Sequence, residues 1–196
     1  MFSFFENLTK AFPEDAPVQP PKDFVAFCRY YSSGMWKVLI TVSIISAVVA
    51  ILEVSLFGYM GQLVDWFATR DKATFIAQEM NSLIWMGLVV MVFLPVLLIL
   101  QSALTHHSLL GNFPMRIRWQ AHRYLLGQSL SFYQDEFAGR VATKVMQTAL
   151  SVRETVMKIM NLAVYICVYF ISIIVLVFST DWRLSVPLII WLVAYV

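Results

Sequence analysis

Charge is scarce in this 196-residue chain. Asp, Glu, Lys and Arg make up 13% of it, about half their share in an average soluble domain. Cysteine is scarcer still: Cys28 lies in a polar N-terminal region and Cys167 inside an apolar run, so the two do not pair. No CxxC or His/Cys metal spacing accompanies them. None of the seven glycines begins a GxxxxGK[ST] phosphate loop, and there is neither a GxGxxG nor an HExxH. His106 and His107 are adjacent, which on a helix points them about 100° apart and away from a shared ion. These absences leave no catalytic set, no recognisable nucleotide site and no metal site. A secretory signal is also unsupported: the first apolar run begins at Trp36, is too long for an h-region and lacks a small-residue cleavage pattern.

What the chain has is hydrophobic residue, 60% of the total, gathered into runs at 36–60, 83–110, 156–178 and 184–196. A helix crosses a hydrocarbon core of roughly 30 Å with about 20 apolar residues. The first three runs meet that length. The fourth offers roughly 20 Å of helix before the sequence ends, which leads us to expect a fragment of a longer protein. The expected fold is all-α, a polytopic helical membrane protein of about four transmembrane helices with long cytoplasmic extensions. Basic residues set the orientation: Lys10, Lys22, Arg29 and Lys37 precede the first run. Arg116, Arg118, Arg123, Arg140, Lys144, Arg153 and Lys158 fill the polar middle, whereas Arg70 and Lys72 are balanced by Asp65, Asp71 and Glu79. The N-terminus and the loop at 111–155 are therefore expected in the cytoplasm and the 61–80 loop outside, in a multi-pass plasma (inner) membrane protein. The net charge of +2 is a topology signal, and nucleic acid is not an expected partner.

Residues 1–22, with Pro13, Pro17, Pro20 and Pro21, read as a disordered tail. Residues 23–34 place Phe24, Phe27, Tyr30 and Tyr31 at helical spacing, an elbow helix in the membrane interface that Gly34 ends. Residues 35–196 form the membrane domain. Pro95 should kink the second span, and Pro114 should bend it again. Beyond it, Ile117, Ala121, Tyr124 and Leu125 recur at helical spacing. Val141, Val145, Ala149, Val152, Val156 and Ile159 form a second apolar stripe, opposite Arg140, Lys144, Gln147, Ser151, Glu154 and Lys158. The second and third spans thus continue as helices far beyond the bilayer, the second for about 70 Å if it runs over 83–129, and turn back through 131–138. Their apolar stripes need partners, which predicts a helical bundle outside the membrane.

Glu53 is the only acid within a span. A carboxylate in lipid is costly, so it either faces a polar cavity, where Gln101 and Thr105 would also lie, or hydrogen-bonds a neighbouring helix.

The segment 132–145, FYQDEFAGRVATKV, resembles the first intracellular loop of exporter-type ABC transporters. That loop typically reads FFD, four variable residues, Gly, a charged residue, two aliphatics, Ser, Arg and Leu. Phe132, Tyr133, Gly139, Val141, Thr143, Lys144 and Val145 fit by identity or close chemistry. Gln134 stands where Asp is usual, Ala138 where Thr is frequent, and Thr148 where Asp is common. The resemblance extends over about 23–196 through the order of elbow, spans and loops. It implies that Phe132, Tyr133, Gln134, Asp135, Glu136 and Phe137, followed by Gly139 and Arg140, form a coupling helix that contacts an ATPase domain absent from these residues. It also implies a second transporter half in a homo- or heterodimer, ATP and Mg2+ on that ATPase domain with no cofactor in this chain, and a small-molecule, lipid or peptide substrate. On this reading the chain is no enzyme by itself. The alternative is a small complete membrane protein that acts as a scaffold or regulator through its cytoplasmic helical hairpin.

Overall fold

The computed structural model describes residues 3–14, 18–69, 75–135 and 137–195. Every regular element among them is helical: α1 (Ser3–Glu6), α2 (Phe24–Tyr31), α3 (Trp36–Thr69), α4 (Phe75–Gln78), α5 (Met80–Leu126), α6 (Leu130–Asp135), α7 (Ala138–Thr180) and α8 (Trp182–Tyr195). Three of them, α3, α5 and α7, are long and apolar enough to cross a membrane, with 34, 47 and 43 residues. The 14-residue α8 is the shorter fourth. Asp181 caps it, its Oδ1 accepting from Arg183 N at 2.9 Å.

The chain divides into two units. One contains 1–42 and 101–162, the other 43–100 and 163–196. In the first, the expected stripes meet: Ile117 of α5 and Ala149, Val152 and Val156 of α7 are buried, and Tyr31 of α2 packs beside Ile117, Tyr124 and Val145. Phe113 and Ile117 are almost wholly buried, each stabilising the unit by about 1.5–3 kcal/mol through apolar area removed from water. Burial pushes the Tyr31 hydroxyl up to about 12, with the neighbouring Tyr30 and Tyr124 adding to the effect. Ile159 departs from the expected stripe and is 55% exposed. It lies in a π-helical stretch, Lys158–Ala163, whose extra residue per turn rotates it off the buried face.

Phe24–Tyr31 is a helix with caps at both ends. Asp23 Oδ2 accepts from Ala26 N at 3.1 Å, which caps α2. The helix ends through Ser32 N to Cys28 O, 3.0 Å, and Met35 N to Ser32 O, 3.0 Å. Gly34 turns the chain into α3 at φ +82°.

Two expectations are corrected. The tail is not free over 5–14. It lies along α5, whose side chains at 108, 112, 116, 119 and 123 make one helical stripe. Ser108 Oγ donates to Phe5 O (2.6 Å) and Asn112 Nδ2 to Glu6 O (3.1 Å). Arg116 Nη1 donates to Lys10 O (3.1 Å), Trp119 Nε1 to Pro13 O (3.1 Å) and Arg123 Nη1 to Glu14 O (3.0 Å). Phe12 packs edge-on to Trp119 at 5.4 Å. An irregular segment needs donors for its carbonyls, and this stripe supplies them. Of the 61–80 loop, 61–69 and Phe75–Gln78 are helical; α3 runs on to Thr69 with no Gly or Pro after Gly61 to stop it. Arg70, Asp71 and Lys72 lie outside the described residues. Pro95 and Pro114 both lie within the one helix α5. π-helical stretches at Val89–Phe93 and Leu104–Leu110 precede Pro95 and Pro114 and carry the helix through.

Candidate functional site

The turn between α5 and α7 is built from the carbonyls that α5 leaves unsatisfied at its end. Gly127 N donates to Tyr124 O at 3.2 Å and Gln128 N to Leu125 O at 2.9 Å. Two side chains add to these backbone bonds: Gln128 Nε2 reaches Tyr124 O at 3.2 Å, and Tyr133 Oη reaches Leu125 O at 2.6 Å. The second of these ties α6 back onto the end of α5. Phe132 and Tyr133 pack edge to face at 5.2 Å. On the far side, Phe137 is extended (φ −67°, ψ 125°), and its carbonyl accepts from Arg140 N (2.9 Å) and Val141 N (3.1 Å), starting α7.

The result is a short, tethered helix that leaves apolar side chains in the open. Phe137 is 81% exposed and Leu130 75%. Gln134, Gly139 and Arg140 are also exposed, Phe132 is half-buried, and the segment to Asp135 is helical. Glu136 lies outside the described residues. A Cβ at Gly139 would meet nothing within 4 Å, so the surrounding chain does not require glycine there. Leu126 and Leu130 belong to the same exposed set although the motif does not include them. Their signal in the sequence is two leucines at i and i+4 where the polar helix ends. Beneath the turn, a groove of about 370 Å³ runs between the two long helices, with Arg118, His122, Tyr133, Val141 and Met146 among its walls.

The second site is separate from the turn. Tyr165 Oη donates to Glu53 Oε2 at 2.5 Å across 112 residues of sequence. These two residues line a cavity of about 410 Å³ with Leu56, Phe57, Met60 and Tyr169. The rings of Tyr165 and Tyr169, one helical turn apart, stack at 5.9 Å. Gly58 lies close under Leu176, at 3.4 Å from where its Cβ would be, so the two helices approach closely beside this cavity. Gln101 and Thr105, expected alongside Glu53, belong to the other unit. Gln101 Nε2 instead donates to Asn161 Oδ1 at 3.1 Å, and Thr105 lies in the π stretch Leu104–Leu110. Among the described residues no group of three or more His, Cys, Asp or Glu could hold a metal ion.

These elements define a polytopic α-helical membrane protein whose two longest helices are joined by an exposed helical turn. The chain belongs to the ABC transporter transmembrane region family, whose profile matches residues 37–196. It is 43% identical over 195 residues to an uncharacterized ABC transporter ATP-binding protein of Haemophilus influenzae, covering 100% of this chain and 32% of that protein. The chain thus spans about a third of the length of the curated relative it matches. No solved structure matches it.

Proposed function

We propose that these residues are the N-terminal part of the membrane domain of an ATP-driven exporter, and that the turn at 130–137 is its docking element for an ATPase domain. The observation that carries this reading is the exposed pair Leu130 and Phe137 on a turn whose backbone is pinned at both ends. Exposed apolar side chains on a rigid support are what a protein partner covers. The open space at Gly139 leaves room for that partner's backbone to come close.

Movement of the docked domain would act on α6, which Tyr133 ties to α5, and each flanking helix continues without a break into an apolar span. Those helices would carry the motion to the translocation pathway. The residues present offer no phosphate loop, so ATP and Mg2+ do not fit this part of the chain and belong to the ATPase domain. The reading includes a second transporter half, in a homo- or heterodimer, and places the N-terminus and the turn in the cytoplasm at the inner membrane.

The test is Phe137→Asp in the full-length protein reconstituted in nanodiscs. The substitution puts a charge into the docking contact, so ATP hydrolysis should lose its response to transported compounds while helix content stays that of the wild type. Unaltered coupling in that variant, and in Leu130→Asp, would overturn the assignment.

A further inference from the structure

The cavity around Glu53 has no part in the docking argument, yet it has the make-up of a ligand site. Its six lining residues supply one carboxyl group, three aromatic rings and two aliphatic or thioether side chains, with no basic residue among them. Its volume, about 410 Å³, falls within the roughly 300–1,000 Å³ usual for small-molecule sites. Tyr165 holds only one carboxylate oxygen, Oε2. The hydrogen bond therefore fixes the direction of the group without using it up.

A carboxylate in a membrane span is costly unless a charge of opposite sign joins it. Among the described residues none that lines this cavity supplies one, and a cationic ligand fits that place. The walls narrow the choice further. Stacked Tyr165 and Tyr169 present π faces, which attract cations that shed their hydration easily. Phe57 and Met60 supply apolar, adaptable surface. A small hydrated metal ion would find one carboxylate and two phenols, too few oxygen ligands for a hard cation. An anion would meet the acid.

We infer that Glu53, Tyr165 and Tyr169 form a binding site for a hydrophobic organic cation, with the Glu53 carboxylate facing the positive charge and the tyrosine rings packing on its apolar groups. The inference rests on the transporter reading, because it names the substrate class of that membrane domain.

The experiment is equilibrium binding of radiolabelled tetraphenylphosphonium to the full-length protein in nanodiscs, with empty nanodiscs subtracted. Neutral triphenylphosphine oxide serves as competitor. Saturable binding that the neutral compound does not displace is expected. Glu53→Gln keeps an oxygen for Tyr165 to donate to and removes only the charge, so affinity should fall at least roughly ten-fold, the loss of one charge-assisted contact. Tyr169→Leu, which leaves the Glu53–Tyr165 bond in place, should weaken binding several-fold. Should Glu53→Gln fail to fold, the Tyr169→Leu result decides. If the Glu53–Tyr165 bond were only a tie between helices, Glu53→Gln would shift thermal stability and leave probe affinity unchanged, and the inference would be wrong. Non-saturable wild-type binding, or equal displacement by the neutral compound, would also overturn it. Loss of coupling in Phe137→Asp with no cation binding would remove this site and leave the membrane-domain reading standing. Saturable cation binding with coupling intact in the turn variants would leave this site standing and overturn only the docking role of the turn.

Discussion

Gly34→Ala tests whether the elbow, the long helix and the N-terminal segment are held at one point. Gly34 has φ +82°, a conformation that costs an L-residue roughly 1–2 kcal/mol. A Cβ there would also lie 3.0 Å from Arg116 Nη2 and 3.1 Å from both Cζ and Nη1. The guanidinium must then move by a few tenths of an ångström. It is 5% exposed, and its Nη1 already donates to Lys10 O at 3.1 Å. Moving it lengthens a charge-assisted hydrogen bond, and losing part of that bond costs about 1 kcal/mol. The two effects together predict a loss of about 2–3 kcal/mol.

The two parts separate experimentally. Asn tolerates positive φ better than Ala but brings the same Cβ, so Gly34→Asn should retain the contact cost and reduce the backbone cost. In an Arg116→Ala background, Gly34→Ala should cost only the backbone part. The assay is unfolding in mixed micelles titrated with sodium dodecyl sulfate, followed by Trp36 and Trp119 fluorescence. The reasoning fails if Gly34→Ala lies within about 0.5 kcal/mol of wild type, the range of an inconsequential surface change. It also fails if the cost is the same with and without Arg116.

Two further outcomes follow from the same unit. Trp119→Ala removes the bond to Pro13 O and the edge-on contact with Phe12, about 2 kcal/mol in all; tryptic cleavage after Lys10 should accelerate by more than ten-fold, and an unchanged rate would mean the tail is not held by this stripe. Burial raises the pKa of the Cys28 thiol, so in a Cys167→Ser background its reaction with a disulfide reagent should rise at higher pH than that of an exposed cysteine. The sign for stability follows. The half-buried neutral thiol stabilises the fold below the unfolded-state pKa, and this contribution fades as pH climbs through the raised folded value; a reactivity profile at or below that of a free thiol would refute it.

Much of the helical framework could be read in the chain because one-dimensional signals govern it. Apolar runs gave the spans, and a 3.6-residue period gave the facing stripes around Ile117 and Val152. Asp23 and Gly34 marked the two ends of the elbow. The docked tail escaped this reading because its part in the contact is made mostly by backbone carbonyls, with the Thr9 hydroxyl and the Phe12 ring, and shows no periodicity. The complementary half was visible: Ser108, Asn112, Arg116, Trp119 and Arg123 fall on one helical face. Their meaning depended on knowing that an irregular segment lay opposite. The Glu53 cavity had the same difficulty in stronger form. An acid in a span announces that it needs a partner, but Tyr165 is 112 residues away, and no periodicity links the two.

Proline shows how a local rule acts on the turn that precedes it. Pro95 lacks an N–H, and its ring crowds the carbonyl four residues back, which is Met91. Within an α-helix that conflict predicts a kink. At that point the ladder widens: Leu94 N donates to Val89 O, an i to i−5 bond, and the following turn resumes as α-helix. The stretch before Pro114 likewise ends at Leu110, four residues back from the ring. Such a stretch inserts a residue and rotates everything beyond it relative to the preceding face. The third π stretch contains no proline. It holds Asn161, the partner of Gln101, and it turns Ile159 out of the stripe. The helical period on each side of these stretches is therefore sound, while the phase between the two sides depends on contacts made elsewhere in the fold.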